Sequence, residues 1–124
     1  MGQSFKNLVA WQKAMDLVVE IYAAAEKFPR HELYGLTSQM RRAAVSVPSN
    51  IAEGQAHYSR LEFRHFLRHA RGSLAELETQ VLIAERLKYL DHETSLRLTR
   101  LAEEVGRIIN GLIASTRSQA SQAS

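Results

Sequence analysis

The stretch SRLEFRHFLRHARGSLAELETQVLIAERLKY, from Ser59 to Tyr89, decides the fold. Phe63, Phe66, Ala70, Leu74, Leu77, Val81 and Ala84 recur in it at steps of three and four, the period of one helix face. Ser59-Arg60-Leu61-Glu62 marks the start as a capping box, in which Ser59 caps an amide three residues on and Glu62 reaches back. Gly72 interrupts the run at a cost of roughly 1 kcal/mol relative to alanine. The spacing predicts a long helix over about 60–89.

The same period extends in both directions. Leu36, Met40, Ala43, Val47 and Ile51 predict a helix over about 36–54. Pro48 lies inside that pattern and is expected to kink or split it. Gly54 is the expected stop, with Gln55 to Tyr58 as a short connection. Nearer the amino terminus, Leu8, Trp11, Met15, Val18, Tyr22 and Ala25 predict a helix over about 8–27 that ends at Phe28-Pro29. Ala10, Ala14, Leu17, Val19 and Ile21 widen its apolar arc beyond the ~100° a surface helix needs, so burial on more than one side is expected. Downstream, Asp91 reads as an N-cap and Glu93 suits a first turn. Leu98, Leu101, Val105, Ile108 and Leu112 carry a fourth helix over about 92–114, and the Ser/Ala/Gln-rich tail 115–124 is expected to fray. Helices joined by short connections make antiparallel neighbours the default. The reading is an all-α, up-down-up-down four-helix bundle, one domain over residues 1–124.

Composition fits that reading and excludes several function classes. A chain of 124 residues with 45% hydrophobic content supports a single core. No run approaches the ~20 apolar residues of a membrane span, and Met1 to Leu8 lacks the apolar stretch of a secretory signal. Zero cysteines exclude disulfides and thiolate metal sites and agree with a cytoplasmic setting. The net charge of +3 is concentrated in one place. His57 to Arg71 holds four arginines, one glutamate and three of the five histidines, while the flanking segments nearly balance.

Several blocks resemble a known family. Leu8-Val9-Ala10-Trp11-Gln12-Lys13-Ala14 resembles the opening of the four-helix-bundle proteins encoded in intervening sequences of bacterial 23S ribosomal RNA genes. So do Phe28-Pro29 and the following Glu32-Leu33-Tyr34-Gly35-Leu36. The longest match runs from Gln39 through Arg41-Arg42-Ala43-Ala44-Val45-Ser46-Val47-Pro48-Ser49-Asn50-Ile51-Ala52-Glu53-Gly54. Phe66-Leu67, Ala70-Arg71-Gly72-Ser73-Leu74 and Glu76-Leu77-Glu78-Thr79-Gln80 are similar to the family's third helix. The resemblance covers roughly residues 5 to 90, with the fourth helix matching in pattern only. It implies a bundle that assembles as a homopentamer. A related branch of this fold serves as the accessory protein of diversity-generating retroelements, beside a reverse transcriptase. The family speaks for the fold more than for an activity.

The residues that bear on function are few. Arg60, Arg64 and Arg68 are four apart, with Arg71 three further on, so they share one helix face. Such a row reads either as a binder of successive phosphates or as a solvated face. The copies of a pentamer would multiply it. Arg41 and Lys13 are outer candidates for the same contact. Gln39, Arg42, Ser46, Asn50 and Glu53 align beside the second core stripe and read first as a structural polar network. Glu76, Glu78 or Gln80 of the third helix are its expected partners, and a ligand or subunit contact is the alternative. Gly72, Ala75 and Thr79, with Ile83 beyond, make a small-residue face suited to subunit contact.

Other chemistries find little footing. His65 and His69 have the spacing of two metal ligands, and Glu62 precedes His65 by three. A di-iron bundle needs a second Glu-x-x-His, however, and the sequence has none. Ser46, Ser49 and Ser73 lack a nucleophile elbow, and Gly35, Gly54 and Gly72 are too isolated for a phosphate loop. Trp11, Tyr22, Phe63 and Phe66 fall on core stripes, so no base-stacking platform is evident, while Phe5, Tyr34, Tyr58 and Tyr89 are peripheral. The expectation is a non-enzymatic oligomeric scaffold, without cofactor or small-molecule substrate. It would bind RNA, DNA or a nucleic-acid enzyme such as a reverse transcriptase. The alternative is a structural or protein-interaction oligomer that ignores nucleic acid.

Overall fold

The computed structural model describes residues 4–57 and 59–123, with side chains as far as Arg117. The chain forms α1 (Val9–Ala25), α2 (Leu36–Ala56), α3 (Arg60–Arg86) and α4 (His92–Ala123). Short 3-10 turns, Phe5–Asn7 and Arg30–Glu32, precede α1 and α2. Among the described residues there is no strand. Each helix packs against two others, in the order α1–α2–α3–α4 and back to α1, with the α2–α3 seam the most extensive. That order is compatible with an up-and-down course.

Three helices bury the residues that their periodicity indicates. Leu36, Met40, Ala43, Val47 and Ile51 of α2 are all buried, joined by Ala44 and Pro48. In α3, Leu67, Ala70, Leu74, Leu77, Val81 and Ala84 are buried, while Phe63 and Phe66 are half-buried. In α4, Leu98 and Val105 share the core with Ala102, Ile109 and Ile113. Leu101, Ile108 and Leu112 are partly buried and pack against that core.

The first helix corrects the expectation. Its core side is Ala10, Ala14, Leu17, Ile21 and Ala25, whereas Met15 and Tyr22 are exposed and Val19 is 65% exposed. Apolar residues on two sides leave the period unable to choose between them. The alanines take the crowded side, where small side chains fit.

The helix ends also differ from the reading of the sequence. Pro48 does not split α2, which runs unbroken past Gly54 to Ala56. Gly54 is a point of close approach: a Cβ there would lie 2.8 Å from Phe66 Cβ and 3.0 Å from Phe63 Cδ1. Tyr58, part of the expected connection, lies outside the described residues. Ser59 Oγ accepts from the amides of Leu61 and Glu62 and so starts α3. The end of α3 comes at Arg86, before Tyr89, because Lys88 adopts a left-handed φ of 66°. The Lys88 amide then donates to Glu85 O and the Tyr89 amide to Ala84 O, both at 2.9 Å. This is a Schellman turn without the usual glycine. Asp91 Oδ1 accepts from the Thr94 amide at 2.7 Å and opens α4. That helix extends to Ala123, past the boundary near 114 expected for it.

Two glycines should respond oppositely to alanine. Gly54→Ala forces α2 and α3 apart and is expected to cost about 1–3 kcal/mol in urea unfolding. Gly72→Ala meets nothing within 4 Å and is expected to raise the stability of the subunit by up to about 1 kcal/mol. A neutral Gly54→Ala would contradict the close approach.

Candidate nucleic-acid interface

The Ser59 cap starts α3 at Arg60 and so places the arginines in the first half of the helix. Leu67, Ala70 and Leu74 turn inward, so Arg60, Arg64 and Arg68, one helical turn apart, line a different face. None of the three lies within ion-pair distance of a carboxylate among the described residues. Arg64 Nε is buried without an acceptor among the described residues. The other expected contacts do not join this row. Arg71 donates from Nη1 to Asn110 Oδ1 at 3.0 Å and leans onto α4. Lys13 pairs with Glu104 at 3.5 Å on the α1–α4 flank, where Arg97 also pairs with Glu20 at 3.2 Å. Arg41 sits on α2 with its guanidinium 5.1 Å from the Tyr22 ring centroid.

Phe66 gathers the histidines beside the row. The His57 ring stacks on it at 5.2 Å, His65 meets its edge at 5.6 Å, and His65 and His69 lie 4.6 Å apart. Among the described residues no three His, Cys, Asp or Glu are grouped to hold a metal ion. The i, i+4 spacing of His65 and His69 and the half-buried Phe66 account for the clustering.

The polar network is narrower than its helical wheel indicates. Ser46 Oγ and Ser73 Oγ lie 2.8 Å apart across the α2–α3 seam, and Asn50 Nδ2 donates to Ser46 O and Oγ at 2.8 and 2.9 Å. Gln39, Arg42 and Glu53 are exposed and stay outside it. Glu76 also stays outside, accepting a long 3.5 Å bond from Gln80 within α3. Glu78 faces α4, where burial first, and the nearby Glu103 second, raise its carboxyl pKa above the ordinary value. The wheel missed Ser73 because a partner on another helix leaves no trace in the period of α2. Gly72, Ala75, Thr79 and Ile83 are all exposed, and the Thr79 hydroxyl donates to Ala75 O at 2.9 Å.

A groove of about 570 Å³ lies between α1, the turn before α2, and α2 itself, lined by Tyr22, Leu33, Tyr34, Arg41, Arg42 and Val45 among others. Glu32 holds that turn in place. Its Oε1 accepts from the Leu36 amide at 3.1 Å and its Oε2 from the Tyr89 hydroxyl at 2.9 Å. These bonds, the Leu36 amide foremost, lower the Glu32 pKa from its ordinary value. The same carboxylate raises the Tyr89 pKa. No helix of the described residues is long and apolar enough to cross a membrane.

Comparison with known proteins places this architecture. A family model described as 23S rRNA-intervening sequence protein matches residues 6–111. A crystal structure of a protein with unknown function from the S23 ribosomal protein family of Bacteroides thetaiotaomicron superposes with a TM-score of 0.79. It shares 21% sequence identity, and the match covers 85% of this chain and 98% of that one. At that identity the likeness speaks for the fold alone. No curated protein matches the chain.

The Glu32 bonds carry a pH signature. With the folded pKa below the unfolded value of about 4.3, their stabilisation is complete above that value and is lost as pH falls through the folded pKa. Glu32→Gln is therefore expected to melt at a lower temperature than the parent at about pH 6, the gap closing toward about pH 3. A gap that stays constant across the range would show that the carboxylate's charge contributes nothing.

Proposed function

The chain belongs to the 23S rRNA-intervening sequence protein family, and from that premise we propose that it works as a non-enzymatic, oligomeric basic scaffold for nucleic acid. Its ligand is RNA or DNA, or a nucleic-acid enzyme such as a reverse transcriptase. The observation that carries this reading is the row Arg60, Arg64 and Arg68, free of carboxylate partners among the described residues. Arg60, in the first turn of α3, opposes the local dipole, so helix stability does not account for it. Each arginine offers a forked donor to a phosphate, and each contact releases condensed counterions. Such contacts position a strand without reading its sequence. His57, His65 and His69 stand beside the row around Phe66. Arg71, tied to Asn110, and Lys13, tied to Glu104, contribute less.

Assembly strengthens the reading. Gly72 lies inside α3 with open space around its missing Cβ, so nothing in the subunit repays its cost to the helix. A neighbouring copy packed on the Gly72, Ala75 and Thr79 face supplies a reason, and each added copy repeats the arginine row. The Ser46 and Ser73 hydroxyls bond each other, and Asn50 donates to Ser46, so neither hydroxyl is paired with a histidine or carboxylate base among the described residues. A second reading, an oligomer that meets only proteins, draws on the exposed apolar side chains Val19, Leu61 and Leu82.

Anisotropy of labelled RNA and DNA across roughly 50–200 mM salt separates the two. The scaffold reading expects affinity that falls steeply with salt. In Arg60/Arg64/Arg68→Ala it expects a slope of log affinity against log salt shallower by about two units per subunit engaged, at ~0.7 per single-strand phosphate contact. Unchanged affinity in that variant removes the row from the contact, and no binding at all leaves the protein-only oligomer.

A further inference from the structure

The groove beside α2 offers exposed phenol rings next to guanidinium groups. Tyr34 is 93% exposed and Tyr22 41% exposed. The Arg41 guanidinium lies 5.1 Å from the Tyr22 ring centroid, close enough to be held there by cation–π attraction. Arg41 Nε is buried and has no acceptor among the described residues. Arg42 is exposed next to it, and Leu33 and Val45 contribute apolar wall. Among the described residues no carboxylate lines the groove.

These features select the chemistry of an occupant. Cationic side chains without acidic neighbours favour an anion. Flat, partly apolar surfaces favour a flat ring system, because stacking on an aromatic or guanidinium face needs no particular hydrogen-bond pattern. A nucleotide joins both properties in one unit. An acidic peptide answers the charge but makes no use of the exposed phenol face.

Resting on the nucleic-acid reading above, we propose that this groove is a base-stacking subsite for single-stranded nucleic acid. An unpaired base lies against Tyr34 and the Arg41–Tyr22 pair, and Arg42 meets its phosphate. Bases inside a duplex are already stacked and cannot enter. The groove thus supplies what phosphate contacts along α3 do not: a preference for single strands.

The test uses a short single-stranded oligonucleotide carrying aminopurine, whose emission is quenched by stacking, beside a duplex of the same sequence. Anisotropy reports binding and quenching reports stacking. Binding to the parent protein is expected to quench the probe. Tyr34→Ala should lose the quench and weaken single-strand affinity by about tenfold or more, leaving duplex affinity unchanged. Tyr34→Phe should retain both. Arg60/Arg64/Arg68→Ala should bind more weakly yet still quench when saturated. At 93% exposure, replacing Tyr34 leaves the core intact. Binding without quenching, or a Tyr34→Ala protein that matches the parent, overturns the subsite and leaves the scaffold reading standing. Absence of binding to strand and duplex alike overturns both. A Tyr34→Ala protein that quenches normally but loses mass in light scattering assigns the groove to a second copy of the chain. A Tyr34-dependent affinity for poly-glutamate that exceeds that for the oligonucleotide assigns it to an acidic protein segment. Each of these two results overturns the proposal.

Discussion

Gly54 against Phe66 is the contact on which the rest of the molecule depends. With only a hydrogen on Gly54, the start of α3 lies against the end of α2, at a separation a methyl group would forbid. Further along the same seam, the Ser46–Ser73 bond and Asn50 fix the register between the two helices. A hydrogen-bonded pair in a half-buried seam resists slippage, because sliding would take the Ser73 hydroxyl from its partner on α2. The rotation of α3 follows from this. Its aliphatic residues close the core, Phe66 collects the imidazoles, and the arginines are left on a face of their own. The same anchoring of α2 presents Arg41 toward α1 and the groove.

Charge is distributed by pairing more than by number. Exposed pairs such as Lys13–Glu104 and Arg97–Glu20 contribute roughly 0–1 kcal/mol to stability. Their larger effect is to neutralise the flank between α1 and α4. The excess positive charge of the chain is concentrated at the first half of α3, where the row has no such partners among the described residues. A modest net charge then produces a local field, as a uniform distribution would not.

The legibility of the fold varied with how one-sided each helix is. A single apolar stripe identified the core of α2 and most of that of α3. Two apolar sides on α1 hid the fact that Met15 and Tyr22 point outward while Ala10 and Ala14 point in. The α3 terminus was hidden because Lys88 takes a left-handed position usually marked by glycine, and Gly54 read as a stop when it is a close contact. Of the candidate interface, the i, i+4 arginines were legible because their relation lies within one helix. The withdrawal of Arg71 toward Asn110, the Ser46–Ser73 bond and the groove joining Tyr22, Tyr34 and Arg41 were not. Each depends on which helices become neighbours, and periodicity along one helix does not contain that.

The central claim is that nucleic acid meets the first half of α3, and photocrosslinking addresses it most directly. A single-stranded RNA carrying thiouridine would be irradiated with the intact protein and the adducts located by mass spectrometry of its peptides. The account predicts adducts on peptides spanning residues 59–71, reduced by added salt. Adducts confined to the ion-paired flank around Lys13, Arg97 and Glu104, or no adducts above background, would contradict it.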